Sequence, residues 1–271
     1  MSSPAALNII TRPGSAADAP TVIFVHGSLD RGESFVRVMR RMPEATTIAY
    51  DRRGYQDSRE AGVVGLGGHI NDLLAIAEEA HEQGGGPVVA LGHSFGGDVV
   101  VGAALSDPQV FGAIGAYEPP MPWLGFRRPE GPAAAAGPGN RRPVLEDPAE
   151  EVEDFFARMV SPAAWARLTE EGRESRRADG PALVSDLRSI HAEGMPFDVE
   201  RLKVPAVFGM GGAETRLHHR RSVQWLGSNV PGAEVYEIEG ARHGSHLSHP
   251  DHFANMARRV LERARETQPE H

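Results

Sequence analysis

The feature that most constrains this chain is the junction of residues 88–97, where an apolar run ends in Gly92-His93-Ser94-Phe95-Gly96. The run has the composition of a short buried strand, and residues 98–105 after it have the composition of a helix. A serine between two such glycines indicates a sharp strand-to-helix turn with strained backbone, because bulky side chains two residues before and after the serine would collide. Such a turn lifts the Ser94 hydroxyl above the strand ends. It also directs the Phe95 N–H to the start of a helix, where the dipole favours negative charge.

Three further segments match a known pattern in the same order along the chain. They are VIFVHG at residues 22–27, DRRGYQDS at residues 51–58 and GARH at residues 240–243. Together with the Ser94 turn, they resemble the serine hydrolases of the α/β-hydrolase superfamily, esterase-like and with a helical cap, over nearly the whole chain. Gln56 stands where the family usually has glycine, so we expect a local difference in that loop.

Length, charge and residue usage set the class of protein. A chain of 271 residues with 40% hydrophobic residues buries enough surface for one α/β domain carrying an insertion. The net charge of −9 argues against a nucleic-acid partner or an anionic membrane surface, and the absence of cysteine excludes disulfides and thiolate chemistry. Residues 1–14 lack a basic segment followed by an apolar one, so we expect a cytoplasmic protein without a leader. Oligomeric state stays open, and a homodimer fits as well as a monomer.

Strand-like and helix-like segments alternate along most of the chain. Strands are predicted near residues 7–11, 21–25, 46–50, 88–93, 110–117, 204–209 and 234–238, and helices at residues 34–42, 69–82, 98–105, 220–228 and 253–265. This alternation predicts an α/β fold with a mostly parallel, doubly wound sheet. Ligands of such sheets bind at the carboxyl ends of the strands, where the segments around His26 and Ser94 lie.

Strand patterns disappear between residues 119 and 196. Residues 129–143 are rich in Ala, Gly and Pro, and amphipathic helices are predicted at residues 146–160, 163–172 and 181–193. We interpret residues 119–196 as a helical cap inserted into a core of residues 1–118 and 197–271. The cap side chains of Trp123, Phe126 and Phe156, with Leu29 from the core, are candidates for the substrate pocket. Packing of the cap onto the core is the alternative interpretation of these apolar side chains.

A serine hydroxyl needs a base to remove its proton, and the base needs a carboxylate to fix its tautomer. The resemblance implies that His243, in the loop after the last strand, is the base, with His246 as the second candidate. His243, His246, His249 and His252 recur at every third residue, which also suggests a metal site. Pro250 interrupts the helix that would align all four, so we expect no metal and no cofactor.

The carboxylate has two candidates. The resemblance implies an acid three residues beyond the glycine that ends the post-cap strand. Counting from Gly209 gives Gly212, which has no carboxylate, whereas counting from Gly211 gives Glu214. Some superfamily members take the acid from the end of the strand after the serine helix. Glu118 ends that strand here, followed by two prolines that stiffen the chain, so we favour Glu118 and keep Glu214 as the alternative.

The resemblance also implies an oxyanion hole. Its donors would be the backbone N–H groups of Ser28, with Leu29 as the neighbouring alternative, and of Phe95. His26 is interpreted as a residue that shapes the loop by hydrogen bonding rather than as a catalyst.

These features predict a cofactor-independent serine hydrolase acting on a small acyl substrate through an acyl-Ser94 intermediate. The bond that we expect it to cleave is a carboxylic ester. A carbon–carbon bond hydrolase or an acyltransferase would use the same residues, because selectivity lies in the cap. The alternative of a different class is a small-molecule sensor on a hydrolase fold with negligible turnover.

Overall fold

A computed structural model describes residues 7–122, 143–191, 197–212 and 215–266. The strands are β1 (Ile9–Arg12), β2 (Thr21–Val25), β3 (Thr46–Tyr50), β4 (Val88–His93), β5 (Ala113–Tyr117), β6 (Ala206–Gly211) and β7 (Glu234–Ile238). The helices are α1 (Val36–Met39), α2 (Leu66–Glu82), α3 (Phe95–Ser106), α4 (Pro148–Met159), α5 (Pro162–Arg167), α6 (Glu170–Ala178), α7 (Gly180–His191), α8 (Leu217–Asn229), α9 (Ser245–Ser248) and α10 (Pro250–Glu266).

The strands of these described residues form one seven-stranded sheet in the order β1-β3-β2-β4-β5-β6-β7. β1 pairs with β3 in antiparallel orientation, and every other neighbouring pair is parallel. The central strands β2, β4 and β5 are buried along their whole length, as expected for parallel strands covered by helices on both faces. The predicted mostly parallel α/β sheet is confirmed.

Successive side chains of each central strand pack alternately into two separate hydrophobic cores. On β2, Ile23 and Val25 pack into the core shared with α2, α3 and α8, whereas Val22 and Phe24 pack into the core shared with α1 and α10. This division follows from the two-residue period of a strand, whose successive side chains point to opposite faces. Helices therefore cover both faces of the sheet, and the candidate site lies at the edge formed by the carboxyl ends of the strands.

Among the described residues between β5 and β6 there are four insertion helices, α4 to α7, where the sequence pattern predicts three. The segment expected as one helix at residues 163–172 is two, because Leu168 is extended (ψ 144°) and Thr169 starts a new helix. The Thr169 hydroxyl accepts a hydrogen bond from the Gly172 N–H at 3.1 Å, which is an N-cap. The N-cap at Thr169 therefore begins a new helix, although the amphipathic pattern continues across the break.

The insertion helices contact the core through a third apolar cluster. Leu29 of the core is buried there with Val152 of α4 and with Leu183 and Leu187 of α7. None of the helices in the described part of the chain combines the length and apolar character needed to cross a membrane.

Two boundaries differ from the expected ones in ways that bear on the site. The segment predicted as a helix at residues 34–42 is a 3₁₀ turn, Gly32–Phe35, followed by the short α1. The Gly32 N–H donates to the Asp51 carboxylate at 2.8 Å. This hydrogen bond holds the start of the turn at Gly32, two residues before the start of the predicted helix. The strand expected at residues 204–209 runs instead to Gly211, because it pairs with β7 as far as Ile238.

Candidate active site

Ser94 occupies the turn between β4 and α3. Its φ of 52° and ψ of −128° lie outside the usual regions for a residue with a side chain. A Cβ on Gly92 would lie 2.1 Å from the Gly96 carbonyl oxygen, and one on Gly96 would lie 2.1 Å from that of Val25. Both glycines are therefore required by close backbone contacts, as the sequence pattern indicates.

Glu118 and His243 are hydrogen-bonded at the same edge of the sheet. Glu118 directly follows β5, and its Oε2 lies 2.7 Å from His243 Nδ1. Its other oxygen accepts from the Gly211 N–H at 2.9 Å and from the Thr215 hydroxyl at 2.5 Å. Burial alone would raise the pKa of Glu118, but the hydrogen bonds from His243, Thr215 and Gly211 bring it below its ordinary value. Glu118 is therefore an ionised, fully hydrogen-bonded carboxylate at neutral pH.

The alternative acid, Glu214, lies outside the described residues. Because β6 ends at Gly211, the family's spacing of three residues points to position 214. Within the described structure, however, the carboxylate on His243 is that of Glu118. The family's spacing thus indicates Glu214 as the acid, whereas the contact in the structure indicates Glu118.

The surroundings of His243 set its orientation beside the Ser94 turn. His93, the residue before Ser94, donates through Nε2 to the His243 carbonyl oxygen at 2.8 Å, and the two rings are 4.7 Å apart. The ring of His219, from α8, stacks on His243 at 4.6 Å and 19°. Since Nδ1 of the neutral imidazole donates to Glu118, Nε2 is left as the acceptor. This is the arrangement that a general base requires.

His246, the second candidate base, has a carboxylate partner of its own. Its Nε2 lies 3.1 Å from Asp30 Oδ2, and its ring packs 4.9 Å from that of Phe35. Burial would raise the pKa of Asp30, but the hydrogen bond from His246 keeps it well below its ordinary value. The His246 side chain is 2% exposed and that of His243 is 20% exposed, so His243 is the more accessible base.

The four regularly spaced histidines do not form one cluster. α9 ends at Ser248 and a new helix begins at Pro250, which separates His243 and His246 from His249 and His252. In the described part of the chain, two groups have possible ligand atoms within 4.8 Å of one another, namely Asp30, His93 and His246, and Glu118, His219 and His243. Each group contains one hydrogen-bonded carboxylate–histidine pair, Asp30–His246 or Glu118–His243.

The loop of residues 26–29 lies against the Ser94 turn, since a Cβ on Gly27 would lie 2.9 Å from the Ser94 Cβ. His26 Nδ1 donates to the Gly27 carbonyl oxygen at 2.7 Å, and its Nε2 accepts from the Arg52 N–H at 2.8 Å. Burial, reinforced by the charge of Arg52, lowers the pKa of His26 to about 3. His26 is thus a neutral side chain whose two ring nitrogens brace the loop.

Arg52 orients the peptide units of this loop. Its Nε donates to the His26 carbonyl oxygen at 3.0 Å and its Nη2 to that of Gly27 at 3.2 Å. Peptide bonds in the described residues are trans, so the C=O of Gly27 and the N–H of Ser28 point in opposite directions. Fixing the Gly27 carbonyl therefore turns the Ser28 N–H away from Arg52. Leu29, next in the loop, has a left-handed φ of 57°.

Sequence reasoning missed the residue that completes this support. Asp186 of α7 accepts hydrogen bonds from Arg52, Ser28 and Tyr55. Arg52 and Tyr55, which the core contributes to this cluster, belong to the segment of residues 51–58 that the sequence pattern singles out. Nothing in the local pattern around Asp186 distinguishes it from an exposed helical aspartate.

Two of the four candidate pocket residues are described. Leu29 is buried, and Phe156 of α4 is partly buried, with its ring 5.3 Å from that of Trp165. The guanidinium of Arg176 lies 6.0 Å from the Phe156 ring. Trp123 and Phe126 lie outside the described residues. The apolar surface around Leu29 is thus lined by insertion helices, and its use as a substrate pocket stays a prediction.

The sequence of the chain matches a known protein family. Residues 22–256 match the Alpha/beta hydrolase family. Lipase LipV of Mycobacterium tuberculosis is 31% identical over 170 residues, which cover 60% of this chain and 64% of the lipase. The chain thus spans slightly less than two thirds of that relative's length.

Solved structures share the fold at low identity. An esterase from Thermogutta terrifontis superposes with a TM-score of 0.69 at 18% identity, covering 95% of this chain and 93% of the esterase. An α/β hydrolase from Sphaerobacter thermophilus gives a TM-score of 0.67 at 21% identity, covering 94% and 96%. At these identities the likeness shows the fold alone. With the family match over most of its length, this chain belongs to the α/β-hydrolase family.

Proposed function

We propose that this protein is a serine hydrolase that cleaves a carboxylic ester, or a related acyl bond, through a covalent acyl-Ser94 intermediate. The observation that carries the proposal is the Glu118–His243 hydrogen bond of 2.7 Å beside the strained turn that presents Ser94. The name of the lipase that resembles this chain in sequence favours an ester over other acyl bonds.

The residues have complementary roles in the proposed reaction. Glu118 accepts a hydrogen bond from the Nδ1–H of His243 and stays ionised, which keeps the Nε2 lone pair available to take the proton of Ser94. The Ser94 oxygen attacks the acyl carbonyl carbon and the carbonyl π electrons move to its oxygen. When the tetrahedral intermediate collapses, the alcohol leaves with the proton from His243. Water then repeats the sequence on the acyl-enzyme, and the carboxylic acid and free Ser94 are released.

The developing oxyanion would accept hydrogen bonds from the N–H groups of Ser28 and Phe95. Support for Phe95 comes from its position as the first residue of α3, where a helix has N–H groups without intrahelical partners. Support for Ser28 comes from the opposite orientation of the Gly27 carbonyl, which Arg52 and His26 hold. Leu29 and Phe156, together with Trp123 and Phe126, are proposed to form the acyl pocket.

Covalent labelling tests the proposal directly. A fluorophosphonate probe should modify the wild-type protein at Ser94, and peptide mass spectrometry would locate the label. Ser94→Ala should abolish labelling, and both Ser94→Ala and His243→Ala should abolish hydrolysis of an activated aryl ester. A label on another serine, or a folded wild-type protein that neither reacts nor turns over the ester, would exclude the mechanism and favour a binding protein.

A further inference from the structure

A buried polar cluster joins the insertion helices to the loop of residues 26–29. At its centre is Asp186 of α7, whose Oδ2 accepts from Arg52 Nη2 at 2.7 Å, from the Tyr55 hydroxyl at 2.6 Å and from the Ser28 hydroxyl at 2.7 Å. Its Oδ1 lies 3.1 Å from Arg52 Nη1 and 3.2 Å from His69 Nε2. The side chains of Arg52 and Asp186 are both 0% exposed.

Burying an ion pair is expensive unless its geometry and its further hydrogen bonds are good. Burial would raise the pKa of Asp186, but Arg52 and His69 keep it well below its ordinary value, so the carboxylate is charged. Hydrogen bonds to a charged acceptor are stronger than those between neutral groups. Asp186 therefore fixes Ser28 more firmly than a solvent-exposed contact would.

The cluster reaches both proposed oxyanion donors. Arg52, which Asp186 neutralises, also binds the carbonyl oxygens of His26 and Gly27. Its guanidinium carbon lies 4.7 Å from the centroid of the Phe95 ring. Asp186 thus contacts Ser28 directly and contacts the residue that orients the Ser28 peptide unit.

A second insertion helix holds the next residue of the loop. Arg176 of α6 donates through Nη1 to the Leu29 carbonyl oxygen at 2.7 Å. Leu29 has a left-handed φ of 57°, a conformation that is unfavourable for a residue with a side chain and needs support from its surroundings. Two consecutive loop residues, Ser28 and Leu29, are therefore fixed by side chains from two insertion helices.

We propose that Asp186, assisted by Arg176, is a positioning residue that sets the oxyanion hole from the insertion helices. The inference rests on the proposed function and adds that the docked insertion contributes to turnover as well as to substrate selection. Its physical basis is that a misplacement of about 1 Å in a catalytic group can lower the rate on the order of 10²-fold.

Ser28→Ala and Ser185→Ala are a matched pair, since each removes one hydroxyl that hydrogen-bonds between α7 and the core, and only Ser28 lies on the loop. Kinetics with an activated aryl ester should show kcat of Ser28→Ala reduced roughly 10- to 100-fold, with KM changed by less than about threefold. Ser185→Ala should keep kcat within about twofold of the wild type while lowering the melting temperature about as much as Ser28→Ala does. Equal kcat values for the two variants would overturn the inference.

Arg176→Met and Arg177→Met provide an independent pair on α6. Arg176 binds the Leu29 carbonyl, whereas Arg177 pairs with Glu153 and Glu170 at the surface. We expect a lower kcat for Arg176→Met alone, with Ser94 still the residue that the fluorophosphonate labels in both variants. This pair decides the question if Ser28→Ala fails to fold, and equal kcat values for the pair would then overturn the inference. An unlabelled, inactive wild type would instead refute the proposed function itself.

Discussion

Glu118 and His243 are 125 positions apart in the chain, and their side chains meet at 2.7 Å. Glu118 has a φ of 45°, and the backbone bends there immediately after β5. The N–H of Gly211, at the end of the neighbouring strand β6, fixes the carboxylate from its other side. The carboxyl ends of two adjacent parallel strands thus orient one acid toward the histidine of a distant loop.

Replacing Glu118 by glutamine tests whether this contact serves catalysis. The amide is similar in size but cannot stabilise a protonated His243, so Glu118→Gln should lower kcat on the order of 10³- to 10⁴-fold with KM little changed. Glu214→Gln is the matched comparison and should change kcat by less than about tenfold. Both should be assayed with one ester and followed by thermal melts. A large loss in Glu214→Gln with near-normal Glu118→Gln would assign the acid to position 214.

The buried, neutral His26 should make stability depend on pH. Its pKa is lowered from 6.5 to about 3 in the folded state, so between these values the unfolded chain binds a proton that the folded chain does not. Stability should therefore fall as the pH is lowered below about 6.5, with this residue contributing a slope of up to about 1.4 kcal/mol per pH unit.

Urea unfolding between pH 4.5 and 7.5 measures this slope. Other buried histidines, including His69 and His93, have lowered pKa values and add to the wild-type slope. The difference between wild type and His26→Asn isolates the contribution of His26. We expect a shallower slope in the variant, and parallel lines for the two proteins would contradict a neutral His26.

The close backbone contact at Gly96 should make this residue irreplaceable for folding. A Cβ there would lie 2.1 Å from the Val25 carbonyl oxygen and 2.7 Å from that of His26, and both neighbours are backbone atoms that cannot move aside. Gly96→Ala should give little soluble protein. Gly67→Ala, at a helical position where an added Cβ would have no atom within 4 Å apart from its chain neighbours and the nearby helix backbone, should be neutral or stabilise by up to about 1 kcal/mol. Soluble yield and thermal melts compare them, and a Gly96→Ala protein with wild-type stability would contradict the packing argument.

Phe156 allows a test of the proposed acyl pocket. If the acyl chain packs against its ring, Phe156→Ala should lower the preference for butyrate over acetate esters by up to about tenfold, since each buried methylene contributes about 0.8 kcal/mol. Phe155→Ala is the control, because Phe155 is also partly buried against the same cluster. The measurement is kcat/KM across a series of acyl lengths, extended to a charged acyl group, which should be hydrolysed more slowly than its neutral counterpart. Equal effects of the two variants on chain-length preference would remove Phe156 from the pocket.

Much of the core was predictable because its signals are local. The strand–turn–helix junction at Ser94 depends on glycines two residues away, and the bounds of β3 and β7 match the predicted segments. The breaks among the insertion helices were less visible, since the Thr169 cap competes with an amphipathic period that continues through it.

The sequence by itself determined the alternation that builds the parallel sheet, the position of Ser94 and the two glutamates that are candidates for the acid of the proposed reaction. Those features follow from residue period and turn chemistry over a few neighbouring positions. Only the tertiary structure joined Glu118 to His243 and Arg52 to Asp186, the latter pair 134 positions apart. Such contacts depend on which strand ends and helices become neighbours and on which charges are buried. A carboxylate on a helix has the same local pattern whether it faces water or a buried arginine.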